Sequence, residues 1–175
     1  MTVGTTGLRD HIREIADYPE AGVLFRDITP LLGDATAFAQ TVDALVERFA
    51  SIHVDRVIGI EARGFILAAP VAYRIGAGFV PVRKAGKLPW AVAREEYTLE
   101  YGVAKLEIHR DALHPDEQVL IVDDVLATGG TASAAARLVE GLGAVVSGLG
   151  FVIELAALGG RARLTGHRLE SLLTY

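Results

Sequence analysis

Two adjacent carboxylates, Asp123 and Asp124, are followed by Val125-Leu126 and then by Ala127-Thr128-Gly129-Gly130-Thr131. Ionised acidic side chains only accept hydrogen bonds, and a neighbouring pair suits the vicinal hydroxyls of a sugar. A run of small residues lets main-chain N–H groups close around a phosphate, and a helix start adds a favourable dipole for that anion. Thr128 and Thr131 can donate hydroxyl hydrogen bonds. The apolar run Val-Leu-Ile-Val at 119–122 places a strand before the acids, and the alanine-rich stretch 132–142 places a helix after the glycines. A bare strand-to-helix turn would need no ligand, but the whole string in this context points to a sugar-phosphate cradle. Neither G-x-x-x-x-G-K-[ST] nor G-x-G-x-x-G occurs in the chain, so the commoner nucleotide loops do not account for it.

Three further segments carry chemistry. Glu61-Ala62-Arg63-Gly64-Phe65 follows the strand pattern Arg56-Val57-Ile58-Gly59-Ile60. An Arg-Gly pair at a helix start suits an anion, bound by main chain and guanidinium; the plainer alternative is a surface arginine beside a packing glycine. Arg83-Lys84-Ala85-Gly86-Lys87-Leu88-Pro89 is basic, and the three lysines of the chain, at 84, 87 and 105, all fall between residues 84 and 110. That cluster could neutralise a polyanion or simply be a solvated loop. In Leu99-Glu100-Tyr101-Gly102, strand alternation puts Glu100 on one face and Leu99 and Tyr101 on the other. Glu107 reads as an exposed strand glutamate.

The elements that must position these groups read as α/β. Leu8, Ile12 and Ile15 fall at helical spacing, predicting a short amphipathic helix. A second helical stripe, Phe38, Val42, Leu45, Val46 and Phe49, follows a capping Asp34. Strands are expected at 56–60, 78–82, 119–122 and 145–153, and helices at 64–75 and 132–142. This order implies a mostly parallel sheet with helices on both faces and ligands at the strands' carboxyl ends. Residues 84–110 form a long excursion, with a β-hairpin around Gly102, that suits a lid. The 175 residues show no repeat or linker, as expected of one domain over 1–175. There is no cysteine, which excludes thiolate chemistry and disulfides and is compatible with the cytoplasm. A formal net charge of −5 disfavours a nucleic-acid or anionic-membrane partner. No apolar stretch reads as a membrane span, because 141–160 is broken by Ser147, Glu154 and glycines.

Residues 119–131 resemble the phosphoribosyl pyrophosphate (PRPP) signature of the type I phosphoribosyltransferases. The remaining segments are similar to the adenine-using branch of that family. The resemblance implies the family fold, with a small hood and a flexible lid over about 84–110. It implies that Asp123 and Asp124 hold the ribose, while Ala127, Thr128, Gly129, Gly130 and Thr131 hold the 5′-phosphate. Arg63, Arg83, Lys84, Lys87 and Tyr101 would face pyrophosphate. Tyr18-Pro19 and Gly22-Val23-Leu24-Phe25-Arg26-Asp27-Ile28-Thr29 are similar to the purine segment. There Leu24 and Arg26 would offer main-chain contacts to adenine, and Phe25 would wall the pocket. Glu100 would handle the purine's proton. Mg²⁺ would be held through PRPP rather than by protein ligands, and a homodimer is the family's usual state. A sister enzyme for another base, a PRPP-sensing regulator that binds RNA or DNA, and an inactive homologue remain as alternatives.

Overall fold

The structure, a computed structural model, describes residues 7–98 and 103–175. In chain order it contains a 3-10 turn (Leu8–His11), β1 (Arg13–Ala16), β2 (Leu24–Asp27), α1 (Thr29–Gly33), α2 (Ala35–Arg48), β3 (Arg56–Ile60), α3 (Arg63–Ile75) and β4 (Gly78–Lys84). It continues with β5 (Val92–Thr98), β6 (Val103–His109), β7 (Gln118–Leu126), α4 (Gly130–Gly141), β8 (Val145–Glu154), two more 3-10 turns (Ala156–Leu158, Gly160–Leu164) and β9 (Leu169–Thr174).

Seven strands form the main sheet in the order β5-β6-β4-β3-β7-β8-β9. The pairs among β4, β3, β7, β8 and β9 are parallel, and β6 joins β4 and β5 antiparallel. Strand alternation divides the core between the two faces. Val57, Leu120 and Val122 pack with α2 and α3, whereas Ile58, Val119 and Ile121 pack with α4. The expected α/β architecture with helices on both faces is therefore present. Asp34 caps α2 as its position suggested, its Oδ1 accepting the N–H groups of Thr36 and Ala37 at 3.0 and 2.8 Å.

The expected N-terminal amphipathic helix is not formed. After the 3-10 turn, Ile12 is extended and the chain enters β1, which pairs antiparallel with β2. Leu8 and Ile12 still reach the core, so the apolar spacing is real, but strand pairing of Ile15 with Phe25 overrides the helical period. The β1–β2 ribbon stands apart from the main sheet as a small hood. Other boundaries shift modestly: β7 runs through the acidic pair, and α3 and α4 start at Arg63 and Gly130. The excursion folds back as β5 and β6, whose last described pair is Thr98 with Val103, and the expected turn around Gly102 falls outside the described residues. Residues 99–102, which include Glu100 and Tyr101, lie outside the described residues. Leu169–Thr174 supplies β9 at the sheet edge.

Candidate active site

β3 and β7 are parallel neighbours at the centre of the sheet, and the chain winds away from them in opposite directions. A crevice forms where such winding reverses, outside the carboxyl ends of the strands. The last β3–β7 pair is Gly59 with Val122, whereas β8 still accompanies Asp123 and Val125. The acidic pair thus extends past its neighbour on one side only. A cavity of about 570 Å³ opens there. Its walls come from the hood (Leu24, Phe25, Arg26), from the start of α3 (Arg63), from Lys84, and from Asp123, Asp124, Ala127 and Thr131. A smaller hollow of about 80 Å³ adjoins it, lined by Thr128, Gly129 and Gly130 together with Asp123, Ala127 and Thr131.

The small hollow is shaped by main chain. Gly129 has φ +79°, a conformation that side chains resist, and it is the residue just before α4. It lies back to back with Gly160: a Cβ on Gly129 would stand 2.5 Å from the Gly160 carbonyl, and one on Gly160 would stand 2.2 Å from the Ala127 carbonyl. The first turn of α4 thus presents N–H groups and a positive dipole end to the hollow.

The acidic pair is held tightly. Asp124 is 5% exposed and takes a bond from the Arg63 guanidinium. The Asp124 N–H donates to Asp123 Oδ1 at 2.9 Å. Burial, and then the negative charge of Asp124, push the Asp123 carboxyl well above its usual range. α3 begins against these groups: a Cβ on Gly64 would meet Asp123 Oδ1 at 2.7 Å. Arg63 also reaches the hood wall, its guanidinium carbon 5.6 Å from the centre of the Phe25 ring. Phe25 in turn meets Tyr18 edge-on, with centroids 5.2 Å apart.

On the far wall, Glu61 organises the basic turn. It takes bonds from Arg83 Nε and Nη2 at 3.2 and 3.3 Å, and its Oε2 accepts the Lys84 N–H at 3.0 Å. Burial alone would raise Glu61, but these bonds outweigh it and hold the carboxyl below its usual range. Arg83 Nη1 also donates to the Lys87 carbonyl at 3.1 Å. Among the described residues, no three His, Cys, Asp or Glu side chains gather as a metal cage.

A sequence profile of the phosphoribosyl transferase domain matches residues 32–169. An adenine phosphoribosyltransferase from Acidothermus cellulolyticus is 58% identical over 163 residues, covering 93% of this chain and 92% of the relative. The chain belongs to the adenine phosphoribosyltransferase family. The crystal structure of the adenine phosphoribosyltransferase from Thermoanaerobacter pseudethanolicus superposes with a TM-score of 0.95 at 48% identity, covering 98% of this chain and 99% of that one. That from Saccharomyces cerevisiae, complexed with an imino-altritol bisphosphate and adenine, gives 0.92 at 38% identity, covering 97% and 98%.

Of the residues singled out from sequence for the adenine phosphoribosyltransferase site, the main cavity gathers Leu24, Phe25, Arg26, Arg63, Lys84, Asp123, Asp124, Ala127 and Thr131. Arg83 and Lys87 are off its lining, and Arg83 is turned to Glu61. Glu61, Tyr97, Val125 and Leu155 line the cavity without having been singled out. A carboxylate directly after a central strand was the available signal for Glu61. Leu155 had none, because it reaches the cavity only through the pairing of β8 with β7. Glu107 corrects the expectation of an exposed strand glutamate. It is 1% exposed, because its face of β6 turns inward toward Arg94 and the Gly86 turn.

Proposed function

We propose that the chain transfers the 5-phosphoribosyl group of PRPP to adenine, giving AMP and diphosphate, and so salvages purine. One observation carries this reading: one cavity joins the acidic pair to the hood segment 24–26, and the hollow of the small-residue cradle adjoins it, sharing Asp123, Ala127 and Thr131. In the reaction the bond from the anomeric carbon to the diphosphate oxygen breaks, and a bond to a ring nitrogen of adenine forms. The ribose passes through an oxocarbenium-like state, as in glycosyl transfer generally. Asp123 and Asp124 take the ribose hydroxyls and oppose the developing positive charge. N–H groups and hydroxyls of 127–131 bind the 5′-phosphate. Arg63, Arg83, Lys84, Lys87 and Tyr101 match the charge of the departing diphosphate. Main-chain groups of Leu24 and Arg26 read the adenine edge, and Phe25 packs on it. Glu100 accepts the proton that the base loses. Closure of the hairpin, a lid at about 84–110, keeps water from the activated sugar.

The donor set suits Mg²⁺ carried in on substrate oxygens. Such an ion usually keeps few protein ligands and would be held through PRPP, leaving Asp123 and Asp124 to the ribose. In that state it would supply charge neutralisation on the diphosphate. The outcome expected on incubation with PRPP, Mg²⁺ and each purine in turn is AMP from adenine and little product from the others. Formation of a different nucleotide would reject the choice of base.

The whole chain is proposed to fold as one domain and to work as a homodimer in the cytoplasm. Support for the dimer comes from Tyr73, 86% exposed on α3, with Ile66 on the same helix and Phe79 on β4 also exposed. No helix among the described residues is long and apolar enough to cross a membrane.

A further inference from the structure

Glu107 lies on β6, outside the cavity lining, yet it is among the few charged side chains the fold buries. Its Oε2 accepts the Gly86 N–H at 2.8 Å. Its Oε1 takes the guanidinium of Arg94, with Nε at 2.8 Å. Gly86 sits in the turn between Lys84 and Lys87, and Arg94 sits on β5, the strand leading toward 99–102. The amides beside Gly86 are also engaged: the Lys84 N–H donates to Glu61 and the Ala85 N–H to the Lys105 carbonyl at 3.2 Å. Three successive amides of the basic turn are therefore pinned, two of them by carboxylates. A buried acid with one partner removed costs stability, so this arrangement is expensive unless its geometry matters.

We propose that Glu107 is a positioning residue: it fixes the 84–87 turn for the diphosphate group and ties that turn to the β5–β6 hairpin. This rests on the reading that the turn faces diphosphate. Glu107 need not touch substrate. By holding the Gly86 amide it sets where the Lys84 and Lys87 ammonium groups start, which lowers the ordering cost of closing them on an anion. The same carboxylate gives β5 a fixed foot, so that the turn and the hairpin keep one spacing.

The test is calorimetric binding of inorganic pyrophosphate with Mg²⁺, alongside steady-state kinetics. Glu107→Ala is expected to raise the pyrophosphate Kd and the KM for PRPP by about tenfold, with the KM for adenine within about twofold. Glu107→Gln keeps an acceptor for Gly86 and should stay within about threefold of the parent in pyrophosphate binding. Glu107→Asp keeps the charge but withdraws the acceptor; it should behave like the alanine variant and carries the test if that variant does not fold. Lys87→Ala checks the underlying reading. If it and Lys84→Ala both leave pyrophosphate binding unchanged, the turn does not face diphosphate and both ideas fall. If those lysine variants weaken binding while Glu107→Ala and Glu107→Asp do not, only the positioning role is overturned. Equal losses for adenine and pyrophosphate would also overturn it, since they would mark general destabilisation.

Discussion

Asp123 and Asp124 sit side by side, yet their surroundings differ. Asp124 has the Arg63 guanidinium, whereas Asp123 has burial and a like charge. Asp123 therefore binds its proton more tightly folded than unfolded. The folded state loses stability as pH rises from the ordinary value of 3.8 through that raised pKa, and the loss persists at neutral pH. Asp123→Asn removes the ionisation, so the ligand-free protein should melt about 2–4 °C higher at pH 7. The same variant should lose most of the thermal shift that PRPP gives the parent, and differential scanning fluorimetry reads both. Asp124→Asn should weaken PRPP binding without that gain in melting temperature. If its calorimetric affinity for PRPP matched the parent's, the ribose role of Asp124 would fail. Glu100→Ala should lower kcat by about 100-fold or more, with a much smaller rise in the KM for PRPP. An unchanged kcat would remove Glu100 from the chemistry.

At the scale of elements, the hood is held by Tyr175, the residue that follows β9. The guanidinium carbons of Arg9 and Arg26 lie 4.2 and 4.0 Å from the centre of the Tyr175 ring. The Tyr175 backbone pairs with Glu154 and Ala156 on either side of Leu155, a residue of the cavity wall. Tyr175 thus braces both the hood residue Arg26 and the Leu155 wall of the cavity. Tyr175→Leu should raise the KM for adenine by about threefold to tenfold, as expected for losing two cation–π contacts, while Tyr175→Phe should not. Equal changes for adenine and PRPP would argue against a local brace. The basic turn depends on pH in the opposite sense to Asp123. Glu61 and Glu107 both have depressed pKa values, so their stabilisation is full above about 4.5 and is lost as pH falls through the depressed values. Melting temperature should fall below pH 4.5, and Glu61→Gln should make that fall shallower. Much of this scale was legible in advance. The runs 56–60 and 119–122 and the alanine-rich 132–142 were strong enough in period and composition to be read directly. β1 was not, because three apolar residues at helical spacing also fit a turn followed by a strand. The pairing of Glu107 with Gly86 joins residues 21 positions apart, and no local pattern encodes such a contact.

For the whole molecule, the sheet separates two apolar cores, and the cavity opens at their seam, where β3 and β7 lie side by side. The cradle string already indicated this location, because the rule for strand ends needs only the order of elements. The hood segment 24–26 was singled out only through the family resemblance, and its place against the acidic pair needed the three-dimensional fold. Burying the exposed Ile66, Tyr73 and Phe79 face against a second copy should give twice the monomer mass in light scattering, and Tyr73→Asp with Ile66→Asp should shift it toward monomer. A monomeric parent would rule that face out. The contact between Gly129 and Gly160 reaches beyond this protein's own chemistry. These two residues come from segments on either side of β8, and neither tolerates a Cβ while the other stays in place. Chimeras with a crossover between them should keep the small hollow intact only when the parent supplying the first segment has glycine at 129 and the parent supplying the second has glycine at 160. Random libraries screened for altered substrates should return almost no survivors at either site.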